Sequence, residues 1–194
     1  MLAQWQWPGV PDVPGASGVS AVSAVLMAVP GGQRGAAAQR HWQAALGLAP
    51  CVPVLRKGVR VGWRSAQGTA LRVAYGHWPQ DVPALAPVPC SVVLVAWRSA
   101  TAGASGVQWA VDCTPDLWLP DGPALLRLYG AKASADFPLA WAELEASAKL
   151  VGGLREDCSP ARPQRLQSRR VGPWAVALAE NGGEGRLAIS AGCA

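Results

Sequence analysis

The chain has 194 residues, 51% of them hydrophobic and 15% charged, with a formal net charge of +5. That much apolar material can build a substantial core in one domain, or in two halves sharing a core, and it excludes disorder along the whole length. Five scattered cysteines, none in a C-x-x-C pair, exclude a disulfide framework and a structural zinc site and fit a reducing cytoplasm. Ten tryptophans stand against one Phe and two Tyr, and lysine occurs only at Lys57, Lys132 and Lys149. A GC-rich coding bias accounts for both preferences; a tryptophan-rich carbohydrate platform is the functional alternative.

In chain order, residues 17–29 form the first long apolar run. No basic residue precedes it before Arg34, which argues against a signal peptide, and it is too short to span a bilayer. Its small and β-branched side chains suit a buried opening strand. Residues 34–46 read as a helix ending at Gly47. Residues 52–63 and 69–75 read as two strands joined by a turn at Gln67-Gly68, followed by a proline-rich connection over 79–89. Residues 91–97 and 107–111 read as a hairpin around the loop from Gly103 to Gly106, which delivers Asp112 to a strand end. A loop containing Pro120, Gly122 and Gly130 then leads to a helix over 138–151. Asp136 is its N-cap, Pro138 sits in its first turn and Gly152-Gly153 is its stop. A final hairpin is predicted from 174–179 and 186–190 across 181–185. There is no repeat of 20–50 residues, and the mixture of elements is α+β.

The helix over 138–151 carries the most chemistry. Phe137, Trp141, Leu144, Ala148 and Val151 recur as one apolar stripe, with Glu145 and Lys149 together on its flank at i and i+4. That flank faces either water, as a solvated ion pair of little energetic weight, or a site.

Trp141-x-x-x-Glu145-Ala146-x-x-Lys149, followed by Gly152-Gly153-Leu154, resembles the W-x-x-K-E-A-x-x-K-A-x-G helix of the 4'-phosphopantetheinyl transferase superfamily. Upstream, Ala110-Val111-Asp112-Cys113-Thr114 resembles the family's G-(V/I)-D-x-E segment, and Gly76-His77-Trp78 stands where the family has a Ser-His-Ser-like element. The apolar run 91–97 is similar to the strand between those two elements, so the resemblance covers residues 34–180. Four positions depart from the pattern: Leu144 replaces the helix lysine, Thr114 the second acid, Ala110 the glycine, and both serines flanking His77 are gone.

The resemblance implies the larger, monomeric class of the family, an α+β fold of two pseudo-symmetric halves, each a small antiparallel sheet packed on a helix. Here these would be residues 1–105 and 106–194, forming one compact pseudo-two-fold unit. It further implies coenzyme A as co-substrate between the halves, Mg2+ held by Asp112 and Glu145, and transfer of 4'-phosphopantetheine to a serine of an acyl carrier protein. Glu145, Lys149 and Asp112 would be the catalytic group; His77, Lys149, Arg34, Arg40 and Lys57 would contact coenzyme A phosphates. Acyl carrier proteins are acidic, and the arginines at 162, 165, 169 and 170 suit such a partner or form a solvated loop. No zinc-finger spacing, RNA-binding aromatic motif or basic helix points to nucleic acid. The other readings are a family relative that binds coenzyme A or a carrier protein without turnover, and an unrelated tryptophan-rich binding module.

Overall fold

The computed structural model describes residues 2–7, 21–30, 35–48, 50–56, 59–83, 88–98, 107–132, 134–151 and 162–181. In chain order these form β1 (Ala3–Trp7), β2 (Val22–Ala28), α1 (Gly35–Ala45), β3 (Val52–Arg56), β4 (Val59–Arg64), β5 (Ala70–His77), β6 (Ser91–Arg98), β7 (Gln108–Pro115), α2 (Gly122–Leu128), α3 (Phe137–Val151), β8 (Arg165–Val171) and β9 (Trp174–Asn181). The architecture is α+β, with two antiparallel sheets and three helices among the described residues. The chain divides into two compact units, Met1–Ser105 and Gly106–Ala194. No described helix is long and apolar enough to cross a membrane.

The first unit is a sheet of order β1-β2-β6-β5-β4-β3. Its strand β6 is apolar on both faces and buried almost throughout, so it needs a neighbour on each side and lies between β2 and β5. This overturns the expected hairpin of 91–97 with 107–111: β7 belongs to the other sheet, beside β9. The expected single strand over 52–63 is two strands, β3 and β4, paired as a hairpin with Arg56 opposite Val59; Lys57-Gly58 between them lie outside the described residues. Strand β1 was not foreseen, although Gln4 and Gln6 alternate with Trp5 and Trp7 in the period expected of a half-buried strand. The opening strand is confirmed over Val22–Ala28.

Helix α1 covers this sheet by inserting Ala38 and Trp42, both fully buried, among Val25, Met27, Leu71, Val93 and Val95. Trp42 meets Trp63 edge-on with ring centroids 6.0 Å apart. The helix stops where expected. Gly47 adopts φ +61°, its N–H donates to the Ala44 carbonyl and the Leu48 N–H reaches back to the Gln43 carbonyl, which together form a Schellman motif.

The second unit is a sheet of order β7-β9-β8 with α3 on one face. The residues directed at α3 are small: Ala110 on β7 and Ala175, Ala177 and Ala179 on β9 meet Ala142, Ala146 and Leu150 of the helix. Of the expected stripe, Phe137, Leu144 and Ala148 are buried, three of the eight residues that α3 buries. Phe137 and Leu144 face α2 through Leu126, while Val151 is 41% exposed. Helix α2 replaces part of an expected loop; Pro123 in its first turn and the apolar Leu125-Leu126 pair are its local causes. The arginine-rich segment is strand β8 rather than a solvated loop, closed onto β9 by a two-residue turn with Gly172 at φ +57°. The expected strand at 186–190 lies outside the described residues.

Because the helix–sheet contact is lined by alanines, it has no room for a longer side chain. Ala146→Leu is expected to cost about 1–3 kcal/mol, measured as a lower urea midpoint; an unchanged midpoint would show that α3 sits farther from the sheet.

Candidate functional site

Asp112 lies in the middle of β7, opposite Ala177, and not at a strand end as expected. Strand alternation turns Ala110, Asp112 and Thr114 toward α3, while Trp109, Val111 and Cys113 occupy the other, equally buried face. Asp112 is thus 3% exposed, inside a layer lined mainly by alanine. An isolated buried carboxylate is unfavourable and needs a compensating charge or donor.

Helix α3 supplies it. Trp141, Glu145 and Lys149 recur every four residues and so share one side of the helix. Lys149 Nζ donates to Asp112 Oδ1 at 2.5 Å and to the Val111 carbonyl oxygen at 3.3 Å. Removal from water works against the ammonium, but the Asp112 charge and hydrogen bond outweigh it and hold Lys149 above its ordinary value. The expected flank pair of Glu145 and Lys149 therefore joins a third residue 37 positions from Lys149.

Glu145 is strongly perturbed. Desolvation comes first, then the Asp112 charge and a hydrogen bond shared with it; together they push Glu145 from an ordinary value of 4.5 up to about 8. Lys149 and the Trp141 side chain pull the other way and are outweighed. Trp141, which the sequence placed in the apolar stripe and at the head of the motif, also touches the site, held by Tyr129 and Phe137 at ring separations of 5.7 Å and 5.6 Å. Without a proton on Glu145, the buried Asp112 Oδ2 has no hydrogen-bond partner. Two adjacent carboxyls with one orphaned oxygen suit either a shared proton or a hard cation.

The remaining candidates are elsewhere. His77 ends β5 in the first unit, where its Nδ1 lies 2.8 Å from Oγ of Ser91, the residue opposite it on β6. A hydroxyl thus stands beside His77 across the ladder. Arg40 is exposed on α1, and Arg34 and Lys57 lie outside the described residues. Of the arginine cluster, Arg165 pairs with buried Glu180 at 3.1 Å. Arg170 joins Asp116 and Asp136, each at 2.7 Å, tying β8 to the cap of α3. The Asp136 cap is as expected, accepting from the Leu139 N–H at 3.4 Å. Sequence reasoning also missed Ser168, whose Oγ donates to Glu143 Oε1 at 2.5 Å beside the α3–β8 contact.

The departures from the motif have structural counterparts. Thr114 points to the same side of β7 as Asp112, so a second acid there would add a third carboxyl to the layer. Leu144 is 5% exposed against Leu126 and Phe137, on a different side of α3 from the Asp112 cluster. Among the described residues no group of three His, Cys, Asp or Glu side chains could hold a metal by itself. The Asp112 and Glu145 carboxyls are hard oxygen donors, of the type a hard cation such as Mg2+ takes, and would fill only part of its coordination shell.

Comparison of the chain with protein-family models, curated proteins and solved structures finds no match.

Glu145 binds its proton more tightly when folded, so its contribution to stability is complete below about pH 4.5, declines as pH rises, and levels off above about 8. Glu145→Gln is expected to flatten that part of the stability curve in urea unfolding at a series of pH values; an unchanged slope would assign the titration to another group. Leu144→Lys, which restores the motif residue, should destabilise by about 2–5 kcal/mol by emptying a buried leucine site and inserting an amine. A fully stable Leu144→Lys protein would place position 144 at the surface.

Proposed function

We propose that this protein transfers the 4'-phosphopantetheine arm of coenzyme A to a serine of an acidic acyl carrier protein in a Mg2+-dependent reaction, and so belongs functionally with the 4'-phosphopantetheinyl transferases. One observation carries the reading. Asp112, Glu145 and Lys149, the residues picked out by two separate motif resemblances, converge from β7 and α3 on one cluster around the buried Asp112 carboxylate. A fortuitous pair of motifs would have no reason to meet.

In this reading Asp112 and Glu145 would hold Mg2+, which when bound would supply charge neutralisation at the coenzyme A diphosphate. Lys149 places a positive charge against the same phosphate oxygens, the electrostatic stabilisation on which phosphoryl transfer chiefly depends. The carrier serine Oγ forms a bond to the β-phosphorus as the bond from that phosphorus to the bridging oxygen breaks, releasing adenosine 3',5'-bisphosphate. Glu145, or a water on the metal, would accept the serine proton. His77 and Arg40, with Arg34 and Lys57, are the proposed contacts for the remaining coenzyme A phosphates.

A second reading, binding without turnover, is favoured by the burial of Leu144, which leaves the helix with one lysine where the motif has two. Intact-mass measurement after incubation with coenzyme A, Mg2+ and a panel of apo acyl carrier proteins separates the two. The expected result is a Mg2+-dependent phosphopantetheine increment that falls about 100-fold or more in Asp112→Asn and Glu145→Gln. Thermal stabilisation by coenzyme A without any increment would select the second reading.

A further inference from the structure

The ammonium of Lys149 sits where a cation belongs. Its two oxygen partners, a carboxylate oxygen of Asp112 and the carbonyl oxygen of Val111, are hard donors of the type that surround metal ions. The other Asp112 oxygen is buried, orphaned and next to Glu145. One side of the carboxyl pair is therefore already occupied by a positive charge that the chain carries on a tether.

We propose that Lys149 is a displaceable counter-cation, which holds Asp112 in the empty site and moves to substrate phosphate when a divalent cation takes its place. The inference rests on the metal-dependent reading above and deepens it. Its first support is charge. Two carboxylates and one divalent cation are already balanced, so an ammonium kept on Asp112 would repel the incoming metal at contact distance, where Coulomb terms are large even at protein surfaces. An anionic phosphate oxygen is the better partner for that ammonium once the metal is bound.

Its second support is freedom to move. The Lys149 side chain is 43% exposed whereas that of Asp112 is 4% exposed, so the amine approaches the carboxylate from the solvent side and can leave without opening the core. Lys149 lies in the last turn of α3, and its stem is a flexible four-carbon chain carrying a compact point charge. Asp112, fixed in mid-strand, has no such freedom. The consequence is coupling. Metal binding is opposed by Lys149 until a phosphate-bearing ligand takes the amine, so each ligand favours the other.

Calorimetric titration of the full chain with MgCl2 alone tests this without any turnover. Lys149→Met is expected to bind Mg2+ at least tenfold more tightly than wild type, while Lys149→Arg, which keeps the charge, stays close to wild type. Lys149→Gln keeps a donor toward Asp112 and removes only the charge; it should follow Lys149→Met and guards against a folding defect in the methionine variant. The same two neutral variants should gain more in melting temperature from Mg2+ than wild type does. Mg2+ binding that is equal or weaker in both neutral variants would overturn the displacement idea and leave the metal site standing. Absence of Mg2+ binding in every protein would remove the metal site itself, and the displacement with it.

Discussion

A buried carboxylate in the middle of a strand is the constraint around which the second unit is arranged. Asp112, 3% exposed, occupies a layer lined mainly by alanine. Such a charge persists only if a counter-charge arrives with good geometry, and removing one member of a buried pair is far more damaging than never having had the pair. Lys149 is that counter-charge, and its reach specifies where α3 lies and how it is rotated.

The alanine contact makes that placement possible. With Ala142 and Ala146 against Ala110, Ala175, Ala177 and Ala179, the helix backbone approaches the sheet closely enough for side chains on its flank to reach Asp112. Rotation of α3 is prevented from its other side, where Phe137 and Leu144 are buried against Leu126. Its N-terminus is fixed by Asp136, which caps the helix and also accepts from Arg170 of β8. Alanine is thus less a filler here than a spacer that decides distance. Leucines at these positions would keep the amphipathic pattern and lose the site.

The first unit solves a different problem. Its β6 is apolar on both faces and sits inside a six-stranded sheet, with Trp42 of α1 as the largest plug over one face. Positive charge is concentrated there, since Asp12 and Asp81 are its only acids. One consequence is visible at Arg72. Its guanidinium lies over Gly62, where any β-carbon would collide with it, and burial together with Arg98 and Arg64 lowers its pKa to about 10. A unit of this charge attracts anions over a longer range than any single contact.

The sequence by itself determined those features that depend on neighbours along the chain. The cap at Asp136, the stop at Gly47, the buried strand at 22–28, the turn at Gln67-Gly68 and the i, i+4 relation of Glu145 and Lys149 all follow from local backbone preferences and helical spacing. Only the tertiary structure decided which strands pair. The apolar runs at β6 and β7 are equally consistent with a hairpin and with separate sheets, because hydrophobic pattern gives a strand's faces and not its partner. It also decided that Leu144 is buried while Glu145 beside it meets Asp112, since a helix with apolar neighbours on two sides cannot be oriented from its own periodicity. The raised proton affinity of Glu145 belongs to the same class. A carboxyl acquires it from burial and from a charge 33 positions away in the chain, and neither exists until α3 closes on β7.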